Sequence, residues 1–134
     1  ILHYRTSREE AERQVAEFAQ RNITAIALQA DLAREDEVAR MFDEIRKKYG
    51  RLDVLVNAAA IWNRKRLEET TAADVREHFE ANTLGTFLCC QAGGLLMVEQ
   101  PEGGCIVNLG DWAEVRVARC ATGVDGGHAG RFSN

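Results

Sequence analysis

Several signatures are missing from this chain, and each absence excludes a class of function. The four cysteines, Cys89, Cys90, Cys105 and Cys120, form no Cys-x-x-Cys pair, and the three histidines are scattered. Neither zinc nor a disulfide framework is therefore expected; the thiols read as small apolar residues in a reducing cytoplasm. A basic excess is absent. The net charge of −4 argues against a nucleic-acid or anionic-membrane surface. No apolar run approaches the ~20 residues of a membrane span. Ile1-Leu2-His3-Tyr4-Arg5 does not read as a secretory leader, because no basic segment precedes a long apolar one. These residues carry no initiator Met and read as the inside of a strand, so the chain is expected to begin in mid-fold. Lysine is confined to positions 47, 48 and 65 and tyrosine to positions 4 and 49, so no Tyr-x-x-x-Lys occurs.

What is present suits one small domain. The chain has 134 residues, 46% hydrophobic and 28% charged, which is ordinary for a soluble globular protein. Residues 1–5 fit a short strand. Ser7-Arg8-Glu9-Glu10 has the form of a capping box and predicts a helix over about 8–21, with Val15 and Phe18 inward. Thr24 to Gln29 reads as a second strand. Val38, Met41, Phe42 and Ile45 lie at i, i+3, i+4 and i+7, which predicts an amphipathic helix over about 34–48, stopped by Gly50. Leu52 to Asn57 is a third strand, whose near-continuous apolar run suits a parallel strand covered on both faces.

Thr71-Ala72-Ala73-Asp74 starts a helix reaching to about residue 98, weakened near its end by Gly93-Gly94. Gly103-Gly104 turn the chain into a fourth strand, Cys105 to Leu109. Strands joined by helices predict an α/β, doubly wound parallel sheet. No internal repeat or heptad pattern is present. The composition changes after about Arg116. Residues 117–134 hold four of the eleven glycines and no Leu, Ile or Met, and read as irregular. The expected division is therefore a domain over 1–116 and a tail over 117–134.

Four segments carry a resemblance. Leu52-Asp53-Val54-Leu55-Val56-Asn57-Ala58-Ala59-Ala60 resembles the strand and Asn-Asn-Ala-Gly motif of short-chain dehydrogenases/reductases. Gln29-Ala30-Asp31-Leu32 resembles their adenine-pocket element. Glu80 to Phe87 resembles the helix with their active-site Asn, and Gly104 to Leu109 resembles the strand leading to their catalytic Ser. The segments stand in the family's order and spacing over residues 1–116. Asp111 stands where most of the family has Ser. A pteridine-reductase-like branch has Asp there, and His3-Tyr4-Arg5-Thr6-Ser7 resembles that branch's His-Tyr-x-x-Ser segment. Plain 3-oxoacyl-carrier-protein reductases come next. The resemblance implies a partial Rossmann-like sheet, roughly strands 2 to 5 of the family fold. It also implies NADP(H)-dependent hydride transfer to a carbonyl or pteridine-like C=N of a small molecule. A homo-oligomeric parent, no nucleic acid, no membrane and a cytoplasmic location are expected with it.

The candidate site residues follow. Arg5, Thr6 and Ser7 hold the place where an NAD-binding chain has an acid, and a cation with hydroxyls suits a 2′-phosphate. The alternative is that Ser7 only caps the helix and Arg5 is solvated. Asp31 and Leu32 are placed at the adenine, or Asp31 is a helix-entry acid. Asn57, Ala58, Ala59 and Ala60 are placed near the cofactor ribose, although the family has Asn where Ala58 stands. Asn82 lies in the stripe Val75, Phe79, Asn82, Thr86, where an inward polar group needs a partner. In the family this Asn helps hold a water chain to the catalytic Lys; the alternative is a cap on a local backbone kink. Asp111, with Trp112 beside it, is the candidate catalytic acid at a strand's C-terminal edge, or a turn residue.

The resemblance also sets out what is missing. The family's Tyr and Lys, four apart, sit about a dozen residues after the Ser/Asp, where this chain has Val124 and His128. The chain alone is therefore expected to be inactive. Thr122 to Gly130 imitates the family's glycine loop, but Ala129 replaces its last glycine and only four residues follow. The family's first strand would lie between Ile1–Arg5 and Leu52–Asn57. Without it, a gapped or newly closed sheet and an association-prone, marginally stable chain are expected. A GC-rich gene read in the wrong frame would give such an Arg-, Gly- and Ala-rich tail. Two alternatives to an inactive enzyme fragment stay open: a non-catalytic nucleotide-binding or interaction module, and one half of a split enzyme.

Overall fold

Strand and helix alternate along the computed structural model, which describes residues 1–110. The elements are β1 (Leu2–Tyr4), α1 (Arg8–Gln20), β2 (Ala27–Gln29), α2 (Glu35–Tyr49) and β3 (Val54–Asn57). A short 3-10 turn (Leu67–Glu69) precedes α3 (Ala72–His78). A π-helical turn (Phe79–Leu84) then leads without a break into α4 (Gly85–Val98), and β4 (Cys105–Asn108) follows. The fold is the α/β type that the alternation predicts and the partial Rossmann-like type that the resemblance implies.

The core forms where α2 meets α4. Val38, Met41, Phe42 and Ile45 are all buried, as their spacing predicts, and they pack with Leu88, Cys89 and Leu96. Each such side chain contributes roughly 1.5–3 kcal/mol by leaving water. Gly93 makes the close approach possible. A Cβ there would lie 2.9 Å from Leu55 Cδ2 and 3.2 Å from Phe42 Cε1. The glycine read as a weak point of the helix is a packing notch. Gly50 ends α2 at φ 66°, and its N–H donates to Arg46 C=O at 2.9 Å.

Four expectations change. Ser7 stands at the N-cap of α1 without a side-chain cap bond. Its ψ of 60° is not the extended geometry that aims a cap hydroxyl at the first turn, and Glu10 pairs with Arg13 instead. The capping box forms at Thr71, whose hydroxyl accepts from Asp74 N–H while Asp74 Oδ2 accepts from Thr71 N–H. Val15 and Phe18 are only half-buried; Ala11 is the buried residue of α1. On β3, Leu55 packs inward beside the core, but Val54 and Val56 are 56% and 54% exposed. Helices cover one face of that strand, not both, among the described residues. Lastly, the continuous helix Ala72–Val98 is long and apolar enough to cross a membrane by length and composition. Its buried face carries Leu88, Cys89, Gly93, Leu96 and Met97. Its exposed positions include Val75, Phe79, Phe87 and Leu95.

The strands pair in twos. β1 runs parallel to β2, and β3 runs parallel to β4, as two separate sheets. Leu2 and Tyr4 bond toward β2, through Leu2 N–H to Ile26 C=O and Ala30 N–H to Tyr4 C=O. In a parallel pair alternate residues face the neighbour, so the backbone of His3 faces the other way. Asp53 and Asn57 likewise bond toward β4, which turns the backbone of Val54 and Val56 away from it. A cavity of about 460 Å³ lies between β1 and β3, lined by Leu2 and His3 on one side and Val56 and Ala58 on the other. Among the described residues no strand joins the two sheets, so of the two expected outcomes, a gapped or a newly closed sheet, these residues show the gap.

Candidate functional site

The C-terminal ends of β1, β2 and β3 open onto one cavity of about 400 Å³. Ligands bind at this edge of a parallel sheet because the loops there diverge. One wall is the turn from β1 into α1, with Tyr4, Arg5, Thr6 and Ser7. A second is the segment after β2, with Asp31 and Leu32. The third is the segment after β3, with Ala59, Ala60 and Ile61.

Local bonds hold these walls. His3 Nε2 meets Ala30 C=O at 2.8 Å, and Gln29 Nε2 donates to Arg5 C=O at 3.1 Å. They tie the end of β1 to the segment after β2. Asp31 Oδ1 accepts from Ala33 N–H at 3.0 Å, so one carboxylate oxygen braces its own turn. Asp31 N–H donates to Glu37 Oε2 at 2.8 Å. Leu32 packs where α4 begins. A Cβ on Gly85 would lie 3.0 Å from Leu32 Cβ and 3.2 Å from its carbonyl oxygen. Sequence reasoning missed Gly85; its one signal is a glycine inside an apolar helix.

The segment after β3 runs back along the helix and is gripped by it. Asn82 Oδ1 accepts from Ile61 N–H at 2.8 Å, and Asn82 Nδ2 donates to Ile61 C=O at 3.0 Å. His78 Nε2 accepts from Asn63 N–H at 3.2 Å. Lys65 Nζ donates to Asp74 Oδ1 at 2.5 Å. The Lys65 ammonium, followed by the Thr71 hydroxyl and N–H, holds the Asp74 carboxyl far below the usual carboxylate range. Asn82 lies inside the π turn, so it does sit at a helix irregularity. Its side chain braces the cavity wall through Ile61.

Asn57 works elsewhere. Its Nδ2 donates to Asn108 Oδ1 at 2.8 Å and to Cys90 Sγ at 3.2 Å. It crosslinks the ends of β3 and β4 and lines the cavity between the two sheets, together with Ala58. Ala59 lines both cavities. Burial pushes the neighbouring Cys89 thiol up to about 11, which makes it an inert core residue. Arg5, Thr6, Ser7, Asp31, Leu32, Ala59 and Ala60 are thus brought to one cavity; Asn82 braces its wall, while Asn57 crosslinks β3 and β4 outside it. Among the described residues no cluster of three or more metal-ligating side chains occurs. Asp111, Trp112 and the tail lie outside the described residues.

The sequence model of a family described as enoyl-(acyl carrier protein) reductase matches residues 1–124. The chain is 40% identical over 85 residues to 3-oxoacyl-[acyl-carrier-protein] reductase from Bos taurus, covering 63% of this chain and 35% of that one. It is 34% identical over 108 residues to 3-oxoacyl-[acyl-carrier-protein] reductase FabG from Staphylococcus aureus, covering 81% and 44%. Among solved structures, a short chain dehydrogenase from Burkholderia cenocepacia in complex with NADP superposes with a TM-score of 0.78. That match is 31% identical and covers 88% of this chain and 47% of the other. A blue fluorescent protein from a metagenomic library, in complex with NADPH, superposes with a TM-score of 0.76 at 29% identity. The chain spans less than half the length of each of these relatives, from 35% to 47%.

Proposed function

The chain belongs to the short-chain dehydrogenase/reductase family, and from that premise we propose that its first cavity takes the adenosine half of NADP(H). The observation that carries this reading is the turn after β1. Arg5, Thr6 and Ser7 line the cavity, and the Ser7 hydroxyl makes no bond to its own helix. A guanidinium and two hydroxyls match a 2′-phosphate, which a carboxylate at that place would repel. The acid in the same wall, Glu10, is paired with Arg13. Asp31, through the oxygen not bonded to Ala33, and Leu32 border the adenine. Ala59 and Ala60, which line the same cavity, are small enough for the ribose to approach backbone.

The cofactor supplies hydride when bound. The protein that contains these residues is an oxidoreductase acting on a small-molecule carbonyl or a pteridine-like C=N. The carbonyl class is supported by the 3-oxoacyl reductases among the relatives. The pteridine-like branch is supported by Asp111 and by His3-Tyr4-Arg5-Thr6-Ser7. In this reading Asp111 orients the substrate and takes part in proton transfer at its ring or carbonyl. The 134 residues hold no Tyr-x-x-x-Lys, so the chain by itself binds without reducing.

The gap between the sheets favours a second reading, half of a split enzyme or a binding module. An extended apolar segment between β1 and β3 would pair with both free edges and join the two sheets into one. Titration with 2′,5′-ADP and 5′-AMP tests the first reading, because the two differ only in the 2′-phosphate. Tighter binding of 2′,5′-ADP, lost in Arg5→Ala, supports it; equal binding overturns it. Restored NADPH oxidation on co-expression with a complementing polypeptide would support the split enzyme.

A further inference from the structure

Three side chains on one helix ridge grip the segment after β3 in register. Asp74, His78 and Asn82 stand four residues apart, and their partners Lys65, Asn63 and Ile61 stand two apart. Four residues of helix rise about 6 Å. Two residues of extended chain advance about 6.6 Å. A segment running antiparallel to the helix therefore meets it rung by rung. In an α-helix each step of four overshoots a full turn by about 40°. The wider π turn at Phe79–Leu84 rotates the chain less per residue and so offsets that drift between His78 and Asn82.

The middle rung is chemically distinct. Asn63 N–H can only donate to His78 Nε2, and Asp74 C=O, 2.8 Å from Nδ1, can only accept. His78 therefore carries its proton on Nδ1 and accepts at Nε2. A second proton would sit on Nε2 and face the Asn63 N–H. The rung and the imidazolium exclude each other. The charged groups on the two segments are Arg64 and Lys65 on one and Asp74, Arg76, Glu77 and Glu80 on the other. Lys65 and Asp74 are tied to each other, and Asp74 also to Thr71.

We propose that His78 is a positioning residue whose protonation state sets the cavity wall. Neutral, it holds Asn63 and, through the chain, the wall at Ala59 to Ile61. Protonated, it lets go of the middle of the segment, including Trp62, which is 69% exposed. Asn82 keeps its hold on Ile61 in both states, so acid loosens the wall without detaching it. The consequence for ligand affinity rests on the nucleotide reading; the rung itself does not.

Amide hydrogen exchange on the 134-residue chain, measured by NMR without ligand, tests the rung. Protection at Asn63, taken relative to the intrinsic rate at each pH, should fall about tenfold between pH 8 and pH 5. In His78→Gln it should be level across that range. Level protection in the parent, or the same fall in His78→Gln, overturns the proposal. The His78 ring nitrogens give an independent reading in the parent alone. A proton on Nδ1 at pH 8 is expected; a proton on Nε2 overturns the proposal even if the variant does not fold. NADPH affinity that follows Asn63 protection, and stops doing so in His78→Gln, supports the coupling to the cavity. Affinity that ignores it overturns the coupling. A titrating Asn63 amide with no NADPH binding at any pH overturns the nucleotide reading and leaves the rung standing.

Discussion

The Asn82 side chain holds both polar groups of the Ile61 backbone, accepting from its N–H at 2.8 Å and donating to its C=O at 3.0 Å. One side chain thereby replaces the hydrogen bonds that a sheet partner would have given this residue. Asn82→Ala leaves both groups without those bonds in a part-buried setting. It should cost about 1–3 kcal/mol in urea denaturation. Asn82→Asp keeps the acceptor but sets a carboxylate oxygen against the Ile61 carbonyl, so it should cost at least as much at pH 7.

Gly93 is expected to reject a methyl group. Alanine would favour the helix by about 1 kcal/mol. Its Cβ would nevertheless press on Leu55 at 2.9 Å and Phe42 at 3.2 Å. Overpacking of this kind costs typically 1–3 kcal/mol, so Gly93→Ala should lower the denaturation midpoint. A raised midpoint would mean that the α4–β3 contact is looser than the geometry here.

Gly85→Ala should act on the cavity more than on the core. The added Cβ meets Leu32 at 3.0 Å and its carbonyl at 3.2 Å. Leu32 must shift, and with it the wall after β2. NADPH affinity is expected to fall several-fold more than the affinity of a Gly94→Ala control, whose Cβ meets nothing closer than Ile106 Cδ1 at 4.0 Å.

Acid should weaken the anchor at Asp74. Its carboxyl is held low by Lys65 first and Thr71 second. A lowered folded-state value means stability that is present above the unfolded value and lost as the pH falls through the folded one. The loss should therefore begin below about pH 4, where an unperturbed carboxylate takes up its proton. Lys65→Met should reduce the difference between denaturation midpoints at pH 7 and pH 3. An unchanged difference would show that the pair does not act in folding.

Much of this fold is legible in the sequence, where one segment carries its own signal. Val38, Met41, Phe42 and Ile45 announce their helix and all four are buried. The family resemblance points to nine cofactor-site residues, and seven of them line the first cavity together. What depends on distant partners is not legible. Ser7-x-x-Glu10 and Thr71-x-x-Asp74 look alike, yet only Thr71 takes the extended backbone that lets the box close. The apolar run of β3 cannot say whether a second helix layer covers it. The π turn and the pairing of 74, 78 and 82 with 65, 63 and 61, residues 9, 15 and 21 positions apart, are encoded by no local pattern.

Calorimetric titration of the 134-residue chain with NADPH and NADH, beside its Arg5→Ala variant, tests the central claim most directly. The account predicts saturable NADPH binding at least about tenfold tighter than NADH, as one charge-assisted phosphate contact gives. It predicts that Arg5→Ala removes most of that difference and leaves NADH unchanged. Equal affinity for the two nucleotides, or no saturable binding of either, would contradict it.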